Sequence, residues 1–181
     1  MPAINPTGPP LRTVRLHLTN FQETDVDAMA AMFADTEVRR HLAVGDFSAA
    51  GARRFAGEFV RQSRDELREA GYAALAVRAI DSDTALGYCG LRPLPDRISA
   101  AELVYALARP HWHQGLTREA VAAVLDWAHT LPGLREIVAM TRPDHTRSRA
   151  VMVASGMQYD GVSERYYGET LALYRLRLTA P

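Results

Sequence analysis

The pattern of apolar and polar residues divides the chain into alternating groups of short strands and longer helices. Strands are predicted over residues 13–19, 72–80, 84–94, 101–108, 135–141, 157–163 and 169–179. Helices are predicted over residues 25–34, 49–70, 117–131 and 147–155. The sequence therefore predicts an α/β fold with about seven strands and about four helices.

The first predicted strand and helix have recognisable local signals. Val14, Leu16 and Leu18 alternate with polar residues, so we expect all three on one buried face. Thr24, with Asp27 three residues later, resembles a capping arrangement at the start of the helix. These signals place a half-buried strand before the first helix.

Several single residues mark the ends and contacts of the later elements. Ser48 is the expected cap of the long second helix, and Gly71 is expected to end it. Gly87 and Gly90 lie within one strand, which indicates a bulge or a close approach of two backbones. Cys89, between them, is interpreted as a small core residue rather than a reactive thiol.

One strand–loop–helix unit has the features of an anion site. An apolar strand at 101–108 leads into the polar loop 111–116, and a helix begins near residue 117. The first amides of a helix have no partner within the helix, and the helix dipole places partial positive charge there. Gly115 would let a ligand approach the backbone, and Arg118 would add a full charge. Many such units bind nothing, so the pattern alone leaves a purely structural role open.

Length, charge and cysteine content narrow the class of protein. The 181 residues predict a loose N-terminal tail at 1–10 and one domain at 11–181. The 21 basic and 21 acidic side chains give no general attraction to nucleic acid or to a membrane surface. A single cysteine and the lack of a targeting signal or long apolar segment predict a cytoplasmic protein.

The loop sequence Trp-His-Gln-Gly-Leu-Thr-Arg-Glu-Ala at 112–120 resembles the pyrophosphate loop of the GNAT acetyltransferases. The similarity is strongest to the branch of the ribosomal-protein N-terminal (alanine/serine) acetyltransferases. The positions that match that branch are Trp112, Gln114, Gly115, Leu116, Glu119 and Ala120. His113 stands where the branch has its first glycine, and Thr117 and Arg118 also depart from its pattern. A side chain at residue 113 is expected to narrow the loop.

A second motif of the same family occurs at 141–157, where Thr141, Pro143, Ser148, Val151, Gly156 and Met157 match. His145 replaces the asparagine that is usual there. Further similarity at 13–18, 87–91 and 166–168 extends the resemblance over nearly the whole predicted domain. The two ordered motifs together are far more specific than either alone.

The resemblance implies a GNAT fold, with a mixed and mostly antiparallel sheet, and acetyl-CoA as co-substrate. In this family the central strand parts from its neighbour and binds the pantetheine arm, which implies a role for Tyr105, Ala106 and Leu107. The pyrophosphate would then bind the loop residues His113, Gln114, Gly115, Leu116, Thr117 and Arg118. His145 is expected to hydrogen-bond the cofactor. Trp112 is either an aromatic contact for the cofactor or, more in keeping with its position, an anchor of the loop.

The resemblance also suggests residues for the proton transfers. Glu102 matches an acidic position that contacts the substrate amine in several relatives, so it is a candidate base or amine anchor; the alternative is an ordinary carboxylate at a strand edge. Met152 occupies the position where many relatives have a tyrosine that acts as the general acid. Ser148 is then the candidate acid, unless it only bonds local backbone at the helix start. Three further tyrosines stay unranked alternatives: Tyr159, Tyr166 and Tyr167.

The predicted function is that of an acetyl-CoA-dependent N-acetyltransferase, an acyltransferase that acts on a primary amine by direct attack in a ternary complex. The first choice of acceptor is the N-terminus of a protein or peptide, and the second is a small amine or an amino-acid-like metabolite. A non-catalytic acyl-CoA-binding module or an interaction scaffold is the alternative. No metal is expected, since nothing is spaced to join His113 and His145 as a third ligand. The exposed closing strands are consistent with a homodimer.

Overall fold

The computed structural model describes residues 10–42 and 48–178. In this part of the chain the strands are β1 Leu11–Arg12, β2 Leu16–Thr19, β3 Ala74–Ala79, β4 Ala85–Leu94, β5 Arg97–Leu107, β6 Glu136–Thr141, β7 Gln158–Ser163 and β8 Leu171–Arg177. The helices are α1 Val26–Ala34, α2 Thr36–Arg39, α3 Ala49–Ala70, α4 Leu116–Ala128 and α5 Thr146–Ala154. The predicted tail lies, except for Pro10, outside the described residues.

The strands form one sheet in the order β1-β2-β3-β4-β5-β6-β8-β7, and β5–β6 is its parallel pair. The predicted mixed, mostly antiparallel sheet is thereby confirmed. The described residues contain one strand and one helix more than the sequence predicted. β1 has two residues and α2 has four, so each is too short to show a period in the sequence.

The two central strands part in the middle of the sheet. β5 and β6 are paired from Ala100 beside Glu136 to Leu103 beside Ala139. Beyond that point β5 stays paired with β4 as far as Leu107, while β6 stays paired with β8. A gap therefore opens between them, directly before the loop that leads into α4.

Helices cover both faces of the sheet and bury two large apolar clusters. The residues of α4 and α5 pack with Cys89, Leu91 and Leu103 on one face. The residues of α1 and α3 pack with Ala76 and Tyr88 on the other face. Cys89 is 1% exposed, and burial raises the pKa of its thiol, which confirms the prediction of a core residue.

The predicted burial of Val14 is wrong. Its side chain is 91% exposed, whereas Leu16 and Leu18 are buried as expected. The chain turns before the strand begins, because the amide of Thr13 donates to the carbonyl of Leu16 and the amide of Leu16 donates to the Thr13 hydroxyl. The alternation of residues therefore continues into a segment that is not a strand.

The cap of the first helix also lies elsewhere than predicted. A carboxylate oxygen of Asp25, rather than Asp27, accepts a hydrogen bond from the amide of Gln22 at 2.7 Å, ahead of a short 3-10 turn. Asp25 in addition forms a buried ion pair with Arg78 at 2.8 Å. The position of Asp25 at the start of the helix therefore depends on its contact with Arg78 of β3 as well as on the local sequence.

The other local predictions are confirmed. Ser48 caps α3 by accepting from the amide of Gly51 at 3.2 Å, and Gly71 ends the helix in the left-handed conformation. At Gly87 an added Cβ would lie 2.2 Å from the carbonyl oxygen of Ala106. The corresponding distance from Gly90 to the carbonyl oxygen of Ala73 is 2.3 Å. Both glycines therefore permit backbone contacts that no larger residue allows.

In the described ranges, none of the helices combines the length and apolar character that crossing a membrane requires.

Candidate active site

A cleft of about 570 Å³ begins at the gap between β5 and β6, and this volume is typical of small-molecule sites. Its lining includes the predicted residues Glu102, Tyr105 and Ser148, together with Tyr167 of the loop between β7 and β8. It also reaches the loop before α4, through Gly115. The fold thus brings most of the predicted site residues to one continuous cavity.

The start of α4 presents free backbone donors to this cleft. The amides of residues 114–118 donate to no other residue in the described ranges, and Leu116, Thr117 and Arg118 line the cavity. Gly115 is in the left-handed conformation, with φ of 74°. A Cβ added there would meet only the Arg15 guanidinium, at 3.6 Å, so the backbone is open to a ligand. These donors fit a diphosphate group.

His113 has a left-handed backbone, with φ of 62°. Glycine adopts this conformation without strain, which gives a physical reason for the glycine that the related loops carry here. The imidazole is exposed at the mouth of the cleft and leaves the cavity open. The backbone at this position is therefore strained, and the narrowing of the loop by this side chain stays a prediction.

Arg15, which does not line the cleft, fixes the loop before α4 through its guanidinium group. Its guanidinium donates to the carbonyl oxygen of Gln114 at 2.8 Å and forms an ion pair with Glu119 at 2.6 Å. Burial acts to raise the pKa of Glu119, but hydrogen bonds from Thr13 and Arg15 outweigh it and lower that pKa. The Gln114 side chain donates to the carbonyl oxygen of Pro110 at 2.9 Å. Gln114 is not among the residues that line the cleft, and its side chain stabilises the loop through this hydrogen bond.

The exposed edge of β5 offers fewer backbone groups than the sequence predicted. The carbonyl of Ala106 faces Gly87 on β4, so the backbone groups of the neighbouring residues Tyr105 and Leu107 point toward the gap. The indole of Trp112 donates to the carbonyl oxygen of Leu107 at 2.7 Å. Trp112 therefore anchors the loop to β5, and Ala106 contributes its side chain rather than its backbone to the cleft.

Glu102 lies on β5 where the two strands begin to part, and it is 6% exposed. Burial raises the pKa of its carboxyl group to about 7, although a hydrogen bond from Tyr167 and the charge of Arg92 act against the shift. The Tyr167 hydroxyl donates to Oε2 of Glu102 at 2.5 Å. A carboxyl group with this pKa can exchange a proton with an amine near neutral pH.

Arg92 is the cross-strand neighbour of Glu102 but does not form an ion pair with it. Its guanidinium instead binds Glu66 of α3, with contacts of 2.9 and 3.2 Å. No cation of the described residues lies within ion-pair distance of Glu102. Burial can therefore raise the pKa of its carboxyl group without a positive charge in contact with it to cancel the effect.

Ser148 lies in the first turn of α5 and is 7% exposed. Its hydroxyl is 2.9 Å from the hydroxyl of Tyr105, which also donates to the Ser148 carbonyl oxygen at 3.1 Å. In the described part of the chain the Ser148 hydroxyl makes no bond to local backbone, so the structural alternative considered above is not what the fold shows. Burial raises the pKa of Tyr105, which keeps the pair protonated.

His145 joins the site through a second histidine. Its Nδ1 lies 3.2 Å from the hydroxyl of Thr141, and its ring stacks on His41 with centroids 4.0 Å apart. Burial, followed by the charge of His41, lowers the pKa of His145 to about 4. Within 10–42 and 48–178, no three His, Cys, Asp or Glu side chains are grouped as metal ligands.

The sequence named several residues of this region without ranking them, and it missed His41. Of the three unranked tyrosines, Tyr167 lies in the cleft, whereas Tyr159 is exposed on β7 and Tyr166 packs against a small cluster on the sheet. Met152 is buried in the core, as expected for an apolar replacement. His41 follows α2, an element that the periodicity does not reveal. Each depends on contacts between distant parts of the chain.

The chain is similar to acetyltransferases over most of its length. A family model described as an acetyltransferase (GNAT) domain matches residues 15–158. YoaA of Bacillus subtilis, an uncharacterized N-acetyltransferase, is 25% identical over 167 residues, which are 87% of this chain and 88% of the relative.

Solved structures show the same fold. An acetyltransferase from Agrobacterium tumefaciens superposes with a TM-score of 0.79 at 24% identity, covering 93% of this chain and 94% of the other. RimL, a ribosomal-protein alpha-N-acetyltransferase solved with coenzyme A, superposes with a TM-score of 0.73 at 17% identity, covering 93% and 97%.

The fold and the cleft are those of an acetyl-transferring enzyme. The chain belongs to the GNAT family of acetyltransferases, and the sequence-based prediction of an N-acetyltransferase is confirmed.

Proposed function

We propose that this N-acetyltransferase moves the acetyl group of acetyl-CoA directly to a primary amine, with the N-terminus of a protein or peptide as the first choice of acceptor. One observation carries the proposal. The carboxyl group of Glu102 and the hydroxyl pair of Ser148 and Tyr105 line a single cleft in front of the free amides of α4.

The chain's own groups fit the acetyl donor. The amides of 114–118 and the charge of Arg118 would bind the pyrophosphate, since both lie at the positive end of the α4 dipole. The backbone groups of Tyr105 and Leu107 along the β5 edge would hold the pantetheine arm. The donor supplies a thioester whose carbonyl carbon is the electrophile. Holding this carbon next to the amine accounts for much of the rate enhancement.

Two protons must move for the transfer to proceed. Glu102 accepts one proton from the substrate ammonium, which makes the nitrogen a nucleophile. The nitrogen then forms the C–N bond and the C–S bond breaks, while Ser148 donates a proton to the leaving thiolate and is itself reprotonated through Tyr105. The nitrogen loses its second proton to solvent, and the Ser148–Tyr105 pair regains from solvent the proton that it gave to sulfur. Nitrogen thus loses two protons and sulfur gains one, so the reaction releases one net proton, the one that Glu102 passes to solvent.

The two faces of β5 separate these roles. Glu102 and Tyr105 are three residues apart, so their side chains lie on opposite faces of the strand. Tyr105 and Ser148 therefore face α5, and Glu102 faces the side of the sheet covered by α1 and α3. The gap beside β5 connects the two sides, which supports an arrangement in which the acceptor enters from the side of Glu102 and the thiol leaves on the side of Ser148.

The likeness to RimL supports a peptide N-terminus as acceptor. A small amine is the second candidate, because Tyr167 projects from the β7–β8 loop and encloses the region around Glu102. Incubation with acetyl-CoA and a panel of peptides and small amines, followed by thiol release and product mass, tests both. Mono-acetylated α-amines are expected. Coenzyme A binding without any product would instead indicate a non-catalytic module.

A further inference from the structure

The part of the cleft beyond Glu102 has walls of aromatic side chains, and we call it the inner chamber. The chamber lies between α1, α2 and α3 and the sheet, on the face opposite to Ser148. Its apolar lining consists of Phe33, Val38, Phe55, Phe59, Tyr88 and Val104. Part of the second apolar cluster, including Phe33, Phe59 and Tyr88, therefore borders an open space rather than packing only against other side chains.

The aromatic rings form a rigid wall. Phe33 contacts Phe55 edge to face with centroids 4.8 Å apart, and Phe59 contacts Tyr88 at 4.7 Å. Phe33 and Phe59 are themselves 5.6 Å apart. Rings that hold one another in these geometries keep their positions without a ligand, so the chamber is preformed.

Charge within the chamber is restricted to its end at Glu102. Arg92 lies there as well, but Glu66 neutralises it. The other arginines that line the cleft, Arg118, Arg142 and Arg147, belong to α4, to the segment after β6 and to α5. The lining residues contributed by α1, α2, α3, β4 and β5 therefore include one uncompensated charged group, Glu102. This arrangement suits an ammonium group at Glu102, with an apolar substituent extending away from it, and it disfavours an acceptor that carries a carboxylate beside its amine.

Tyr88 adds one polar group to the apolar wall. The residue is 7% exposed and lines the cleft, yet its hydroxyl forms no hydrogen bond with any residue in the described ranges. Burial raises the pKa of this phenol, against the charge of Arg92 and with a smaller contribution from Glu102, so the hydroxyl remains a donor. The hydroxyl is open to the cleft that Tyr88 lines, and a bound group with an accepting oxygen would supply its partner there.

We propose that the inner chamber selects acceptor amines that carry an aromatic or branched apolar side chain and a neighbouring uncharged carbonyl, to which the Tyr88 hydroxyl donates. This inference rests on the proposed function, because it describes the acceptor of that reaction. An N-terminal residue with a large apolar side chain has this chemistry, and so does the amide of an apolar amino acid. The two sources share the same recognised group.

The test measures kcat/KM at saturating acetyl-CoA for three matched acceptors: phenylalaninamide, alaninamide, which lacks the ring, and 2-phenylethylamine, which lacks the carbonyl. Phenylalaninamide is expected to exceed alaninamide by at least about tenfold, the scale on which apolar pockets discriminate. Tyr88→Phe is expected to reduce kcat/KM for phenylalaninamide about fivefold, the worth of one neutral hydrogen bond, and to leave 2-phenylethylamine unchanged. Comparing kcat/KM for a peptide that begins with phenylalanine with kcat/KM for phenylalaninamide distinguishes the two sources, a peptide N-terminus and the amide of a free amino acid.

The control variant is Tyr159→Phe, which removes an exposed hydroxyl on β7. It is expected to leave all three values unchanged. Equal or higher kcat/KM for alaninamide than for phenylalaninamide would overturn the chamber proposal while leaving the acetyl-transfer function in place. A Tyr88→Phe effect of equal size on 2-phenylethylamine would overturn the role of the hydroxyl. No thiol release with any acceptor would overturn the proposed function, and the chamber proposal with it.

Discussion

The hydroxyl of Tyr167 donates a 2.5 Å hydrogen bond to Oε2 of Glu102, across 65 positions of sequence. Tyr167 lies in the loop between β7 and β8, so this bond ties the closing part of the chain to the point where β5 and β6 part. The bond stabilises the charged form of Glu102, whereas burial favours the neutral form. The balance of these two effects sets the pH at which the site can accept a proton.

Tyr167→Phe removes the hydroxyl and keeps the ring. The pKa of Glu102 is then expected to rise further, because the hydrogen bond that lowers it is lost. The acid limb of the kcat/KM profile should move to higher pH, and activity at pH 7 should fall. Tyr166→Phe, on the adjacent residue, serves as the control and should leave the limb in place. A Tyr167→Phe profile that coincides with that of the parent enzyme would show that the bond has no influence on the site.

Ser148→Ala and Tyr105→Phe each remove one member of the hydroxyl pair. Both are expected to lower kcat by about 10²-fold or more, with a much smaller change in the Kd of coenzyme A, because the proton is needed only when the thiolate leaves. Stopped-flow kinetics and calorimetry give the two quantities. Unchanged turnover in Ser148→Ala would remove this serine from the mechanism.

His113→Gly relieves a left-handed backbone conformation at a non-glycine residue. The free energy of unfolding is expected to increase by about 1 kcal/mol, measured by urea titration. His113→Asn should give a smaller increase, since asparagine tolerates this conformation better than most residues. The exposed imidazole makes no hydrogen bond to the described residues, so the Kd of coenzyme A should remain the same or decrease. Weaker binding would indicate that the imidazole itself contacts the ligand.

The stack of His145 on His41 predicts a pH dependence of stability. The pKa of His145 is about 4 in the folded protein and about 6.5 in the unfolded chain, so the unfolded chain binds more protons between these values. The stack's contribution is therefore complete above pH 6.5 and is lost as the pH falls toward 4. The pKa of His41 is also lowered, mainly by burial and by Arg40, and Asp144 and Arg147 act on both rings.

His145→Asn should reduce the slope of unfolding free energy against pH in this interval. Urea titrations of parent and variant at several values between pH 4.5 and 7.5 measure the difference. The control is His129→Asn, which replaces an exposed imidazole at the end of α4. If the free energy of unfolding depends on pH in the same way for the parent and for His145→Asn, protonation of His145 is not coupled to unfolding, which would contradict the prediction.

The sequence predicted most of the fold because its signals are local. The strand–loop–helix unit around Gly115 has apolar periods and a glycine within some twenty residues, and its position in the structure follows from them. The exposure of Val14 shows the limit of this reasoning. Alternation predicts a strand only where a neighbouring strand is available to pair with it. Because the chain turns at Thr13, the strand begins at Leu16.

The chemistry of the site was less predictable, because it depends on contacts between distant segments. Glu102 and Ser148 could be selected by resemblance, but nothing in the sequence joins Glu102 to Tyr167 or draws Arg92 away toward Glu66. The pKa of Glu102 depends on both of these relationships and on burial. Such properties become visible only when the sheet is assembled.

The pH profile of kcat/KM for the parent enzyme and for Glu102→Gln tests the central claim most directly. With an acceptor found in the panel, the parent is expected to lose activity below an apparent pKa near 7, because protonated Glu102 cannot accept the ammonium proton. Glu102→Gln should have lower activity throughout, lack this limb, and bind coenzyme A as tightly as the parent. An unchanged limb and unchanged activity in Glu102→Gln would contradict the assignment of Glu102 as the base.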